Sequence, residues 1–256
     1  MSDAQATLAG WQEMTLSMSA PSSVSVGLIA LANDSTIEPD LYGFLGPENI
    51  RIQTNRIPAP RYLDVKSLHA LKDKIADTAA GLMTTNHLDV MAFGCTSASM
   101  ALGSAAITEA IHRARPNIKV ANPVEAALKG LRQLGCSRIS LLTPYIGEVN
   151  ALVEDYLVRH KLDLVRKGYF PVRDNDTRSH VSLEAFEAAA DYLMNDSAAD
   201  ALFISCTALR TAPVIEHLEK RLGKPVVTSN QALAWDCLRQ AGDTRSLLGL
   251  GQLMRT

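Results

Sequence analysis

The chain has 256 residues, of which 47% are hydrophobic and 20% are charged. This composition is typical of folded globular proteins and unlike that of disordered, collagenous or coiled-coil chains. The 25 basic and 27 acidic residues give a net charge of −2, and there is no run of lysine and arginine that would neutralise a phosphate backbone, which argues against nucleic acid as a partner.

The N-terminal region has neither the charge nor the length of a targeting or membrane segment. Asp3 and Glu13 stand where a secretory signal carries positive charge, and the first long apolar run, residues 24–32, is too short to span a bilayer. We therefore expect a cytoplasmic protein with no membrane partner. Residues 1–20 are interpreted as an extension that precedes the folded core.

From there on, short apolar runs alternate with amphipathic stretches of helical length, which predicts βα units on a largely parallel sheet and hence an α/β fold. The predicted strands occupy residues 23–31, 50–56, 89–93 and 118–121, then 138–142, 162–168, 200–204 and 225–227. The predicted helices occupy residues 67–83, 99–113, 124–134, 146–160, 183–194, 213–222 and 232–240.

Two segments of the chain carry the same pattern at an offset of 111 residues, from Cys95 to Cys206. Each reads as an acidic residue, a buried strand, a small residue, cysteine, threonine and another small residue, and a helix is expected to follow. Such self-similarity predicts a duplicated α/β unit. We expect two similar half-domains, each a short, mostly parallel sheet flanked by helices, related by a pseudo-two-fold axis with the active site between them. The predicted division assigns residues 21–122 and 233–256 to the first half-domain and residues 123–232 to the second.

Cys95 and Cys206 both follow a predicted buried strand, and ligands of open parallel sheets bind beyond the carboxyl ends of the strands. The other two cysteines, Cys136 and Cys237, lack such a setting and are interpreted as buried structural residues. The backbone amides that follow each strand-end cysteine are expected to hold a carboxylate and to lower the pKa of the thiol. These amides belong to Thr96, Ser97, Thr207 and Ala208.

The motifs Gly94-Cys-Thr-Ser97 and Ser205-Cys-Thr-Ala-Leu-Arg-Thr211 resemble the two cysteine motifs of the Asp/Glu racemase superfamily. Within it the chain is most similar to maleate cis-trans isomerases, arylmalonate decarboxylases and the EutA branch of ectoine utilization. The resemblance covers residues 23–240. Supporting matches are residues 27–31 and 36–39, Asn122-Pro123, residues 142–145 with Asn150, and Asp174-Asn175.

The resemblance implies that one thiolate takes a proton from, or adds to, a carbon beside a carboxylate, while the opposite thiol supplies a proton. It makes Cys95 the nucleophile and Cys206 the acid/base partner. Arylmalonate decarboxylases keep only the second cysteine, so the presence of both argues against decarboxylation. Family members are usually dimers or larger, and residues 1–20 and 247–254 offer apolar surface, so a homo-oligomer is expected.

Three further residues are substrate-binding candidates, each with a structural alternative. Tyr145 and Asn175 match family positions that contact the substrate, but Tyr145 could be a core aromatic and Asn175 part of an Asx turn. Asp34 stands where maleate isomerases typically carry Asn, which favours a substrate with an ammonium group. If the alignment slips by one position, Asn33 makes the contact instead, and Asp34 could equally be a helix or turn cap.

No nucleotide, nicotinamide or zinc-protease motif occurs in the chain, so the sequence predicts neither a cofactor nor a metal site. The leading hypothesis is a two-cysteine isomerase or racemase that acts on a small carboxylate, either a dicarboxylate or an amino-acid derivative. One alternative is a decarboxylase or lyase that uses a single cysteine. A second alternative is a catalytically silent protein that binds a metabolite.

Overall fold

The computed structural model describes residues 14–18, 24–46, 50–83 and 87–256. Residues 14–18 of the predicted extension form neither helix nor strand and are exposed, and the rest of that extension lies outside the described residues. None of the described helices is both long and apolar enough to cross a bilayer.

Helices and strands alternate along the described chain, as predicted. The strands are β1 Val24–Leu31, β2 Ile50–Ile57, β3 Val90–Gly94, β4 Lys119–Ala121, β5 Arg138–Thr143, β6 Asp163–Tyr169, β7 Ala201–Ile204 and β8 Val226–Thr228. The helices are α1 Ile37–Leu45, α2 Val65–Ala70, α3 Lys72–Ala80, α4 Thr96–Leu102, α5 Ser104–Ala114, α6 Pro123–Gln133, α7 Glu148–Arg159, α8 Asn175–Arg178, α9 Leu183–Met194, α10 Ile215–Leu222 and α11 Ser229–Ala241, followed by a short 3-10 helix, Leu253–Arg255.

The strands form two four-stranded sheets with the orders β2-β1-β3-β4 and β6-β5-β7-β8. All the strand pairings in both sheets are parallel. Strands β3 and β7 occupy equivalent inner positions and are buried along their whole length, as expected for parallel strands covered by helices on both faces. The predicted α/β fold is confirmed, and the matching strand orders are consistent with two half-domains related by a pseudo-two-fold axis.

Two of the predicted helices are each divided in two. The helix predicted at residues 67–83 is split at Leu71 into α2 and α3. The helix predicted at residues 99–113 is split at Gly103, which has φ 80° and ψ 144°. A glycine in this conformation ends one helix and lets the next begin in a new direction.

Helices α1 and α8 were not predicted from the sequence. Helix α1 contains Pro39 and Gly43, which resemble helix breakers in the sequence. In the structure Pro39 lies in the first turn, where a missing backbone N–H does not disrupt the helix. Helix α8 consists of only four residues, too few to produce a periodic pattern.

The two half-domains exchange helices after their last strands. Helix α6 follows β4 but contacts β8, whereas α11 follows β8 and contacts β1, β3 and β4 as well as β8. Each of these helices begins at a side-chain cap, since Asn122 Oδ1 accepts from the Glu125 amide (3.1 Å) and Thr228 Oγ1 accepts from the Gln231 amide (3.2 Å). Most of α11 falls within residues 233–256, which the prediction assigns to the first half-domain.

The C-terminal segment beyond α11 packs on the other half. The Leu253 side chain packs against α6 at Gly130. The Gln252 amide donates to the Glu219 carboxylate on α10 (2.8 Å to Oε2). The division of residues 21–256 into half-domains stays a prediction, and these last residues contact the half-domain to which that division does not assign them.

Candidate active site

Cys95 and Cys206 come directly after the inner strands of the two sheets, Cys95 next to the end of β3 and Cys206 two residues after the end of β7. Both side chains are almost completely buried, with exposures of 4% and 5%. The residues beside the two cysteines contact each other, since Thr207 Oγ1 donates to the Gly94 carbonyl (3.4 Å). The fold therefore brings one cysteine from each half into the same site.

Cys95 is the residue that precedes α4 and has an ordinary extended backbone, with φ −148°. Burial raises the pKa of its thiol to about 11, although the Ala98 amide and the Ser97 hydroxyl stabilise the thiolate. The Ser97 Oγ atom lies 3.7 Å from the Cys95 Sγ atom. Cys95 is therefore a neutral thiol near pH 7 when the site is empty.

Cys206 has a backbone φ of 151°, a value that L-residues rarely adopt and that costs on the order of 1–3 kcal/mol. Its amide donates to Ser229 Oγ (3.0 Å). The expectation that a helix follows Cys206 is wrong, because residues 207–209 form a turn and the next helix begins only at Ile215. Strained backbone of this kind is concentrated at functional sites.

The surroundings of Cys206 are more favourable to a thiolate than those of Cys95. Burial raises the pKa of the Cys206 thiol, while the charge of Arg178, the hydroxyl of Tyr145 and the amide of Ala208 lower it. The Ala208 amide lies 3.4 Å from Cys206 Sγ. A full positive charge therefore acts on Cys206, whereas the groups that stabilise a thiolate at Cys95 are neutral donors.

The predicted threonines of the two motifs are buried and join the halves to each other. Thr96 Oγ1 donates to Ser229 Oγ (2.9 Å), the same atom that accepts from the Cys206 amide. Thr207 Oγ1 donates to Asp34 Oδ2 (2.9 Å). These contacts connect each cysteine motif to the opposite half-domain.

Asp34 is 2% exposed and makes the contacts of a cap. Its Oδ1 atom accepts from the amides of Thr36 (2.8 Å) and Ile37 (3.0 Å) at the start of α1. Burial raises the pKa of the carboxyl, and these amides and the Thr207 hydroxyl oppose the increase. The neighbouring Asn33 Oδ1 accepts from Asn175 Nδ2 (3.1 Å), so Asn33 and Asn175 lie side by side.

Arg178, a residue that sequence reasoning missed, belongs to the same site. It is 5% exposed, and its guanidinium carbon lies 5.4 Å from the centre of the Tyr145 ring. Tyr145 itself is 4% exposed, and while burial raises the pKa of the Cys206 thiol, the hydroxyl of Tyr145 opposes that increase. The only sequence signal is the spacing from Asn175, since residues three apart share a helix face.

A cavity of about 330 Å³ borders this cluster. It is lined by Ser97, Tyr145, Arg173 and Arg178 together with residues 62–64 and 146–149. Neither cysteine is among the lining residues of this cavity, but Ser97 lies 3.7 Å from Cys95 Sγ, and Tyr145 and Arg178 act on Cys206. A larger surface hollow of about 1060 Å³ lies near the ends of α9 and α10 and is lined by none of these residues. The smaller cavity is therefore the candidate substrate site. In the described residues, no three His, Cys, Asp or Glu side chains are grouped so that they could hold a metal ion.

Each half-domain is built on a parallel sheet and has a cysteine at the end of the equivalent strand, an arrangement typical of the Asp/Glu racemase-like class. Comparison with known proteins defines the family. The family model described as arylmalonate decarboxylase matches residues 45–254. The chain is 34% identical over 196 residues to arylmalonate decarboxylase of Bordetella bronchiseptica, which covers 72% of this chain and 78% of that protein. The chain belongs to the arylmalonate decarboxylase family.

Maleate isomerases are also among its relatives. The chain is 29% identical over 175 residues to maleate isomerase of Nocardia farcinica, with coverage of 65% of this chain and 69% of that protein. A mutant of a Nocardia farcinica maleate cis-trans isomerase, solved with a covalently bound succinylcysteine intermediate, matches with a TM-score of 0.83 at 22% identity over 91% of this chain and 98% of that one. The predicted position in the Asp/Glu racemase superfamily, near both kinds of enzyme, is confirmed.

Proposed function

We propose that the protein is a cofactor-independent isomerase that uses Cys95 and Cys206 on a small carboxylate substrate, in the manner of the maleate isomerases. The observation that carries this proposal is the presence of two buried thiols, one from each half-domain, whose motifs are joined by direct hydrogen bonds. A covalently bound succinylcysteine in a structural relative supports chemistry at cysteine.

The proposed reaction begins from a thiol at Cys95 and a thiolate at Cys206, where the surroundings are more favourable to the negative charge. The Cys206 thiolate takes the proton of Cys95 as the Cys95 sulfur adds to one carbon of the double bond, and Cys206 then gives this proton to the neighbouring carbon. The intermediate is a thioether at Cys95 with a thiolate at Cys206, and the former double bond can now rotate. Cys206 then removes the proton from carbon, the C–S bond breaks, and the Cys95 sulfur takes the proton back from Cys206. Arg178 and Tyr145 would stabilise the Cys206 thiolate of the intermediate.

The other predicted site residues divide into two groups in this proposal. Ser97 and Tyr145 line the cavity and are proposed to contact the substrate carboxylate directly. Asn175 is proposed to bind the substrate together with Asn33, to which it is hydrogen-bonded. The remaining candidates are bonded mainly to protein groups, so their role in substrate binding stays a prediction. These candidates are Asp34, Thr96, Thr207 and Ala208.

Decarboxylation of an arylmalonate is the second candidate, and the 34% identity to a decarboxylase favours it. Such a reaction needs one proton donor, and Cys206, with its strained backbone and nearby Tyr145 and Arg178, could serve alone. In that mechanism Cys95 would be dispensable. The two candidates therefore differ in what they require of Cys95.

The test is proton NMR in deuterated water with maleate, phenylmalonate, aspartate, glutamate, hydantoin and diaminobutyrate derivatives. We expect cis-trans isomerisation, or deuterium at a carbon beside a carboxylate, with the wild-type protein. Cys95→Ser and Cys206→Ser should each reduce turnover about a thousandfold or more, whereas the matched control Cys136→Ser should not. Unchanged turnover of phenylmalonate by Cys95→Ser would favour the decarboxylase. The absence of any turnover, with binding retained, would favour a silent binding protein.

We further infer that the protein forms a homo-oligomer in the cytoplasm. Exposed apolar side chains support the assembly, since Met14, Leu16 and Met18 are 77–86% exposed and Leu248 is 78% exposed. Apolar side chains grouped in this way often mark protein–protein contacts. The relation to the EutA branch and the location in the cytoplasm stay predictions.

A further inference from the structure

Arg178 carries a buried charge for which the described carboxylates provide no counter-ion. Its side chain is 5% exposed, and none of the ion pairs between described residues includes it. A buried guanidinium without an anionic partner is costly. This cost indicates that an anion completes the site when it is occupied.

The guanidinium is held in one orientation by its neighbours. Nε and one Nη atom each donate to the Val172 carbonyl at 3.2 Å, and the other Nη donates to Asn175 Oδ1. The group also lies over the ring of Tyr145. A guanidinium has five N–H donors, so these three bonds leave two for a ligand.

The position of Arg178 connects it to the reacting groups. It borders the same cavity as Ser97 and Tyr145. The Ser97 Oγ atom lies 3.7 Å from Cys95 Sγ, and the charge of Arg178 itself acts on Cys206. A carboxylate bound to Arg178 in this cavity would therefore lie beside the groups that surround the two thiols. Arginine binds carboxylates with a planar geometry that a lysine does not reproduce.

We propose that Arg178 is a specificity-determining residue that binds one carboxylate of the substrate through the N–H groups it does not use on the protein. This inference rests on the proposed function, since it assigns a residue to the recognition of the small carboxylate on which the two cysteines act. A substrate with two carboxylates would then be held at Ser97 and Tyr145 by one of them and at Arg178 by the other.

The test measures binding without turnover. Succinate and its monoamide, succinamate, are used as unreactive probes that differ in one carboxylate, and each is titrated for protection of Cys95 and Cys206 against iodoacetamide, followed for each cysteine by mass spectrometry. In the wild-type protein succinate should protect at a concentration about tenfold or more below that of succinamate, as expected for a charge-assisted hydrogen bond.

Variants test whether Arg178 produces this preference for succinate. The quantity compared is the ratio of the protecting concentration of succinamate to that of succinate. Arg178→Met should reduce this ratio to within about threefold, and Arg178→Lys should give an intermediate ratio because it keeps the charge but not the planar donors. The matched control is Arg173→Met, at an exposed arginine of the same cavity, which should leave the ratio unchanged. Circular dichroism and thermal melting establish that each variant is folded.

Three results would overturn the inference: no protection by succinate in the wild-type protein, no preference of that protein for succinate, or an undiminished preference in a folded Arg178→Met variant. If Arg178 served only to stabilise the Cys206 thiolate, Arg178→Met would shift the pH dependence of Cys206 labelling upward and leave the ratio unchanged, which also contradicts it. If Arg178→Met does not fold, the inference is judged from the wild-type ratio and from Arg178→Lys, whose ratio should be smaller than that of the wild-type protein. Failure of the isomerase proposal would appear in turnover and not in this binding measurement.

Discussion

At the scale of single residues, the two cysteines are chemically inequivalent although they occupy equivalent positions. Burial holds the Cys95 thiol neutral, with neutral donors around it, whereas Cys206 has a cation, a phenolic hydroxyl and a strained backbone. An enzyme that passes a proton between two thiols needs such a difference, because one sulfur must take the proton of the other. The environment thus matches the roles proposed for the two residues.

The raised pKa of Cys95 predicts the pH dependence of its reactivity. Only the thiolate is alkylated rapidly, so labelling of Cys95 by iodoacetamide should rise about tenfold per pH unit above neutrality and level off near its pKa of about 11. The measurement is the labelling rate of each cysteine by mass spectrometry. A plateau at the ordinary thiol pKa of about 8.5 would contradict the burial argument.

The same shift predicts an effect on stability. Because the folded state keeps Cys95 protonated while the unfolded chain ionises it, the stabilisation is complete below the ordinary thiol pKa and is lost as the pH rises toward about 11. Relative to Cys95→Ala, the free energy of unfolding of the wild-type protein should fall by on the order of 2 kcal/mol over this interval. Denaturant titrations of both proteins check this difference.

At the scale of elements, α1 determines the conformation of the loop that carries Cys206. Asp40 on α1 is 2% exposed and accepts from the amides of Thr211 and Ala212, from the Thr211 hydroxyl and from the Asn230 side chain, at 2.9–3.1 Å. These bonds hold residues 211–212 as a loop against the other half-domain. The carboxylate therefore helps to hold the loop between Cys206 and α10.

Replacement of Asp40 by Asn should destabilise the protein. The amide cannot accept all four hydrogen bonds, and buried donors would lose their partner, so we expect the free energy of unfolding to fall by about 2–4 kcal/mol. The matched control is Asp73→Asn, at an exposed carboxylate in the first turn of α3, which should change stability by less than about 0.5 kcal/mol. Equal stability of the two variants in urea titrations would refute the proposed role of Asp40.

At the scale of the whole molecule, the site exists only where the two half-domains meet. Thr207 bonds to Asp34, and Ser229 bonds to both Thr96 and the Cys206 amide. These bonds cross between the halves close to both sulfur atoms. A change in the packing of the halves would therefore change the separation of the thiols, so in the proposed reaction the interface matters for turnover as well as for stability.

The proposed assembly is tested at the same scale. Light scattering at micromolar concentration should give a mass at least twice the 27.6 kDa of one chain. Replacement of Met14, Leu16 and Met18 together by serine should shift the distribution toward the monomer, because it removes exposed apolar surface. A monomer in the wild-type protein at this concentration would exclude the predicted homo-oligomer.

Features that depend on local pattern could be predicted from the sequence. The strands, the α/β class and the placement of Cys95 and Cys206 at strand ends follow from short apolar runs and from the repeated motif, because buried parallel strands need continuous hydrophobic sequences. Helix α9 begins and ends where it was predicted, at Leu183 and Met194. The role of Asp34 stayed open between a cap and a substrate contact, because a carboxylate before a helix is compatible with both.

Features that depend on contacts between distant segments required the tertiary structure. Hydrophobic periodicity and the repeated motif are enough to predict the repeated βα pattern and the pair of strand-end cysteines. The position of Arg178 beside Tyr145, the bonds of Asp40 to the loop after Cys206, and the bond between Asp34 and Thr207 join residues that are far apart in the sequence. Burial and long-range hydrogen bonds produce these features, and neither is encoded in the residues next to them.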